Sequence, residues 1–135
     1  MSLCSFSGKI DSIIYREGDC NMKRISSNFF KDTYTYVVGE SKTEDNPTMH
    51  VFEVRRSIDD ALLAHLEFHS GSFSPNELNG ILNEDLLVIL INRIESFQKS
   101  KMKCRENEAA LQHLYEAMFW LILRHNKRFG VSEEN

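Results

Sequence analysis

No apolar run in the chain approaches the ~20 residues that a membrane-spanning helix requires. The opening residues, Met1-Ser2-Leu3-Cys4-Ser5-Phe6, have no basic cluster and no long apolar core, so a secretory leader is not expected. Basic charge is in the minority. Sixteen lysines and arginines face 20 acidic residues, giving a formal net charge of −4. A general grip on duplex DNA or RNA needs a basic surface and is disfavoured, though a local basic cluster can still hold a small anion. Cys4, Cys20 and Cys104 are odd in number and far apart, whereas a disulfide framework or zinc knuckle needs closer, paired spacing. Inert thiols in a reducing compartment are the expectation. The histidines show no HExxH spacing, and GxSxG, P-loop and GxGxxG motifs are missing. No metal, cofactor or catalytic residue is therefore expected, and nothing in the sequence argues for an enzyme. There is no internal repeat and no low-complexity segment.

The first half of the chain reads as strands and turns. Residues 8–16 carry Ile10, Ile13, Ile14 and Tyr15, and Glu17-Gly18-Asp19 reads as a turn. Residues 33–38 (Thr-Tyr-Thr-Tyr-Val-Val) are all β-branched or aromatic, a strong strand signal. Residues 39–48, with Asp45-Asn46-Pro47, are polar and break the pattern, so a hairpin loop is expected. Over 49–55 the side chains alternate. Phe52 and Val54 share one face; Val51, Glu53 and Arg55 share the other, as in a half-buried strand. Residues 57–68 fit either a short capped helix or a strand. The alternation of Leu62, Ala64, Leu66 and Phe68 favours a turn at 57–60 followed by a strand ending near His69. On such a strand His65 and His69 are two pleats apart and not a ligand pair. An irregular stretch follows over 70–80, with Pro75 and Asn79-Gly80.

The period then changes from two to 3.6. Asn83 is a suitable N-cap, and Glu84 and Asp85 place negative charge in the first turn. Leu82 and Leu87 suit a hydrophobic staple. Leu86, Leu87, Leu90, Ile91, Ile94 and Phe97 form one helical stripe. After a polar connection at 98–103, a second helix begins near Cys104 or Arg105. Its stripe is Asn107, Ala110, Leu111, Leu114, Met118, Leu121 and Ile122, and Gly130 suits its C-terminal end. The short connection forces the helices antiparallel. Folding about residue 101 is expected to bring 86–91 opposite 112–117, leaving 118–123 beyond the start of the first helix. The runs Leu-Leu-Val-Ile-Leu-Ile and Met-Phe-Trp-Leu-Ile-Leu are apolar all round, yet a two-helix hairpin buries only one face of each helix. The N-terminal sheet and a second copy of the chain are the expected covers. The expected architecture is α+β: an N-terminal antiparallel β-sheet (1–80) packed on a C-terminal antiparallel two-helix hairpin (81–135), together one compact, homo-oligomeric domain.

Polar residues gather at two places on this hairpin. Around the turn, Phe97 is placed to stack on a base, Asn107 to pair with a base edge, and Arg93 and Arg105 to hold phosphates. Equally, Phe97 reads as core and Arg105-Glu106-Asn107 as a solvated helix start. Near the far end, Arg124 and Arg128 are four apart on one face. They suit a phosphate clamp or simple compensation of the helix dipole. Composition leaves both readings standing at each place.

Several hairpin segments resemble a known family. They are Asn79-Gly80-Ile81-Leu82-Asn83-Glu84-Asp85-Leu86-Leu87, Arg93 with Ser96-Phe97-Gln98, Cys104-Arg105-Glu106-Asn107, Leu114-Tyr115-Glu116-Ala117-Met118-Phe119-Trp120-Leu121, and Arg124, Arg128, Gly130 and Val131. Together they look like the helical hairpin of phage anti-defence sponge proteins, a family with a Thoeris anti-defence branch and an anti-CBASS branch. With its expected N-terminal sheet, the chain resembles the Thoeris branch more than the shorter, nearly all-helical anti-CBASS branch. The resemblance implies a non-catalytic protein of the host bacterial cytoplasm that sequesters a cyclic nucleotide signal. That signal would be a cyclic ADP-ribose isomer, with cyclic di- or trinucleotides as further ligands, and the assembly a homodimer or hexamer. By motif position, Phe97 would stack on the adenine and Asn107 would contact it, with Arg105 and Arg93 nearby. Arg124 and Arg128 match arginines associated with phosphates. Phe129, at an often basic position, and Ser132-Glu133-Glu134, in place of a Gly-Thr ending, depart from the pattern. The alternative is a non-catalytic oligomeric phage accessory protein acting through protein–protein contacts.

Overall fold

The computed structural model describes residues 13–15, 21–25, 33–41 and 48–130. The chain divides into two compact units, Met1–Ile81 and Leu82–Asn135. The first holds strands and the second helices, which is the α+β class expected.

Among the described residues the first unit is a five-stranded antiparallel meander. Its strands β1 (Ile13–Tyr15), β2 (Asn21–Ile25), β3 (Thr35–Ser41), β4 (Met49–Arg56) and β5 (Leu62–Glu67) each pair with the next in sequence. Strand β2 was not legible in the sequence, because Asn21, Lys23 and Arg24 carry little strand propensity. Tertiary pairing on both sides holds it, and Met22 is fully buried. Strand β3 runs past Val38 through Gly39, where a loop is expected. A β-carbon at Gly39 would lie 2.7 Å from Met49 Sδ and 3.1 Å from Phe52 Cδ1. The glycine therefore makes room for side chains packed across it and marks no turn. The expected turn at 17–19 and Asp45-Asn46-Pro47 lie outside the described residues.

Strand β4 alternates as expected, but its more deeply buried face is the one carrying charge. Val51, Glu53 and Arg55 are buried, while Phe52 and Val54 are only partly so. The charged pair is tolerated because each group is satisfied. Arg55 donates from Nη2 to Glu53 Oε1 at 2.9 Å and from Nη1 to the Asp60 carbonyl at 2.8 Å. The Tyr36 hydroxyl donates to Asp60 Oδ1 at 2.6 Å, and the Arg24 guanidinium lies 4.1 Å over the Tyr36 ring. Burial, reinforced by the Asp60 carboxylate, holds the Tyr36 phenol well above its ordinary pKa. Met22, Tyr36, Val38 and Val51 form the apolar cluster beside this network. Asp60 makes the β4–β5 turn with φ 58°, a left-handed conformation that aspartate tolerates better than most residues.

Beyond β5 the chain leaves the sheet and returns to it. Ile81 forms a parallel bridge with Phe68, through Ile81 N–H to Glu67 O at 2.8 Å and His69 N–H to Ile81 O at 2.9 Å. Ser70 and Asn79 exchange two further bonds across the neck of the loop, at 2.9 and 2.8 Å. Gly80 is required at this return, since a β-carbon there would fall 2.5 Å from Glu67 O.

The second unit is the hairpin of α1 (Asn83–Gln98) and α2 (Arg105–Arg128). Leu82, not Asn83, is the N-cap of α1. Its side chain has no acceptor, so capping is one-sided: Leu82 N–H donates to Asp85 Oδ2 at 2.8 Å. Helix α2 ends at Arg128 with Phe129 as its C-cap, and Gly130 follows with φ 65°, the left-handed stop that the sequence indicates. The helix register differs from the symmetric fold about residue 101. Tyr115 donates a hydrogen bond to Glu95, and Leu86, Leu87 and Leu90 share a groove with Ala117, Trp120 and Leu121. Side chains lean toward the N-terminus of their own helix, away from the turn on α1 and toward it on α2. An α1 side chain therefore meets an α2 residue further along the chain, and Trp120 and Leu121 of the 118–123 run share the groove with α1.

Candidate functional site

Two polar groups stand at opposite ends of this hairpin. The first is built by the last turn of α1 and the first turn of α2. Arg93 and Phe97 are four apart on α1, and the guanidinium lies 5.1 Å over the Phe97 ring. Phe97 is partly buried. Helix α1 closes tightly behind it: Ser100 N–H donates to Phe97 O at 3.0 Å and Ser100 Oγ to the same carbonyl at 2.7 Å. Ser100 Oγ also accepts Met102 N–H at 3.1 Å. The Gln98 side-chain amide then bridges the link. Its oxygen accepts Cys104 N–H at 3.0 Å and its nitrogen donates to Cys104 O at 3.0 Å. Cys104 is the extended N-cap of α2, so Arg105 and Asn107 begin the second helix directly beside the end of the first. Asn107 Nδ2 reaches Met102 O at 3.4 Å, a long bond. Arg105 is exposed.

The second group lies in the last turns of α2. Arg124 and Arg128 are both exposed and share a face. Among the described residues neither has a carboxylate within ion-pairing distance. Lys127 adds charge, and the His125 and Phe129 rings meet at a tilt of 43° with centroids 4.8 Å apart. At ~1.5 Å per residue, Arg124 is about 28 Å along the helix from Arg105. Within one protomer the structure brings Arg93, Phe97, Arg105 and Asn107 to one end and leaves Arg124 and Arg128 at the other.

Between the ends lies an apolar groove of about 530 Å³, lined by Asn83, Leu86, Leu87, Leu90, Ala117, Trp120 and Leu121. None of the six candidate residues lines it. Its hydrocarbon walls offer a nucleotide's phosphates no counter-charge, so the groove suits apolar side chains better than a charged ligand. Around it the hairpin exposes large apolar residues: Val88, Ile89 and Leu90 on α1, and Tyr115, Phe119, Trp120 and Ile122 on α2. Phe119 and Trp120 are each 59% exposed and contact edge to face. Helix α1 has no buried residue and α2 has only Leu111. No helix among the described residues is long and apolar enough to cross a membrane.

The Acb2/Tad1 hairpin domain matches residues 68–124. The helical half of this chain is therefore similar to the Acb2/Tad1 hairpin domain. The match begins at the Phe68 bridge and contains Arg93, Phe97, Arg105, Asn107 and Arg124; Arg128 lies beyond it. The chain is also similar to Thoeris anti-defense 1 of Bacillus phage SBSphiJ7, at 40% identity over 72 residues. That alignment covers 53% of this chain and 48% of the relative, so the chain spans about half the length of the curated relative it matches. Gln98 and Ser100, which organise the turn of this hairpin, read from composition as an ordinary polar connection. Their role becomes visible only when the two helix ends meet.

Proposed function

We propose that this chain is an anti-immune sponge, one that binds and sequesters a cyclic nucleotide signal without cleaving it. The observation that carries the reading is the Acb2/Tad1 match across the turn residues, together with the similarity to a phage anti-defence protein. A cyclic ADP-ribose isomer of Thoeris defence is the first ligand, with cyclic di- and trinucleotides as further ones. The geometry of the turn supports the assignment. The Arg93 guanidinium lies over the Phe97 ring, and in this reading the ring stacks on an adenine. Asn107 Oδ1 accepts from an exocyclic amine, and Arg105 is available to a phosphate. Arg124 and Arg128 serve phosphates either at a second site or, carried by another protomer, at the first. The exposed apolar faces of both helices support self-association as a homodimer or hexamer. The site of action is the host bacterial cytoplasm. Those same faces favour the alternative, an accessory protein that acts only through protein–protein contacts.

A thermal-shift screen against cyclic ADP-ribose isomers and cyclic dinucleotides separates the two. A ligand at 100 times its dissociation constant should stabilise the chain by about 2.7 kcal/mol. Ligand released by denaturing the complex should come back intact; recovery of opened or linear nucleotide points to an enzyme instead. Phe97→Ala with Asn107→Ala should abolish binding while the oligomer persists. Unfolding of that double variant would make the two residues structural.

A further inference from the structure

The Gln98 bridge has a consequence for ligand binding. Its amide presents one acceptor and one donor to the N–H and C=O of a single residue, Cys104, at 3.0 Å each. This is the pairing that two strands make across a bridge, here supplied by a side chain. It spans the whole link of residues 99–104. One partner follows Phe97 directly; the other precedes Arg105 and stands three residues before Asn107. Cys104 O also accepts Glu108 N–H at 3.3 Å, the first bond of α2, so the clasp is tied into the helix it positions. Ser100 stiffens the same link from inside, leaving few ways for the turn to open without breaking these bonds. A ligand held between Phe97 and the start of α2 depends on the spacing of the two, and a site loose by about 1 Å loses much of its affinity.

We infer that Gln98 is the positioning residue of the turn site: it touches no ligand, and by clasping Cys104 it sets Arg105 and Asn107 at binding distance from Phe97. The inference rests on the sponge reading. Gln98 and Cys104 are near the surface and their bonds are neutral, so the clasp orders the link without carrying the fold.

The test measures binding of a panel of cyclic ADP-ribose isomers by the full-length chain and by Gln98→Leu and Gln98→Glu. Gln98→Leu should bind the best isomer about tenfold more weakly, comparable to one lost hydrogen bond. Its Cys104 amide should exchange with solvent faster while amides in the middle of α2 stay protected. Gln98→Glu keeps the acceptor but loses the donor when ionised. Its binding should be weakened at pH 7 and recover as the acid regains its proton toward pH ~4.3, where it again offers both groups. Unaltered affinity in both variants at pH 7 overturns the positioning role and leaves the sponge reading intact. If Gln98→Leu unfolds, a pH-independent Gln98→Glu with native affinity overturns it equally. No binding of any isomer by the unaltered chain overturns the reading and the inference together.

Discussion

The two units of this chain distribute polarity in opposite senses. In the sheet unit a carboxylate and a guanidinium, Glu53 and Arg55, are 3% and 4% exposed, while Phe52 and Val54 beside them are only partly covered. In the helical unit aromatic and aliphatic side chains stand in solvent and almost nothing is buried. Each inversion has its own cause. Buried charge survives where it is paired and hydrogen-bonded, as Glu53 and Arg55 are with each other and with His65 and the Asp60 carbonyl. Exposed apolar surface on this scale marks a face built for contact, since isolated large hydrophobics are ordinary but a contiguous patch is not. The sheet unit pairs its buried polar groups from within, whereas the hairpin leaves its apolar faces exposed, faces that the proposed self-association would cover.

The largest effect should come from breaking the buried pair. Glu53→Ala strands the Arg55 guanidinium and should destabilise the sheet unit by about 3–5 kcal/mol in chemical denaturation. Replacing both Glu53 and Arg55 by leucine should be close to neutral. If the double variant is as damaged as the single one, the network contributes more than mutual satisfaction. On the hairpin the same kind of change should act differently. Phe119→Ser should alter the stability of a single protomer by no more than about 0.5 kcal/mol, because the ring is largely exposed. Under the proposed self-association it should nonetheless lower the mass seen in sedimentation velocity. A variant that keeps its mass in solution removes Phe119 from the contact face. The smallest effect belongs to the β4–β5 turn. Two hydrogen bonds from Arg56, helped by the Ala61 amide, hold the Asp59 carboxyl down at about 2. A depressed carboxyl pKa contributes stability that is present above the ordinary value of 3.8 and lost as pH falls through about 2. The pair is half exposed, so the contribution is slight. Arg56→Ala should return Asp59 toward its ordinary value in an NMR titration, with little change in melting temperature at pH 7.

Much of the helical unit was legible because a helix reports itself locally. The stripe from Leu86 to Phe97, the glycine stop at Gly130 and the polar link all follow from spacing within one segment. Boundaries were less so: Asp85 reaches back to Leu82 and moves the cap by one residue, a contact that no propensity ranks. In the sheet, strands β3, β4 and β5 were readable from β-branched content and alternation. Strand β2 was not, since its neighbours and not its own residues hold it. For the candidate site, the residue types at the turn and the far end were visible. That Gln98 pairs with Cys104 was not.

The sequence by itself determined the periods of the two halves, the antiparallel hairpin and an apolar content greater than two helices can hide. These depend on neighbours a few residues apart, which any reader of the chain sees. Only the tertiary structure decided which face of β4 is buried, how the helices register and how the turn is clasped. Each of those depends on residues distant in sequence, Glu53 with His65 and Tyr36 with Asp60, or on the lean of side chains on two opposed helices. Alternation names two faces of a strand; it takes partners from elsewhere in the chain to make the charged one the inside.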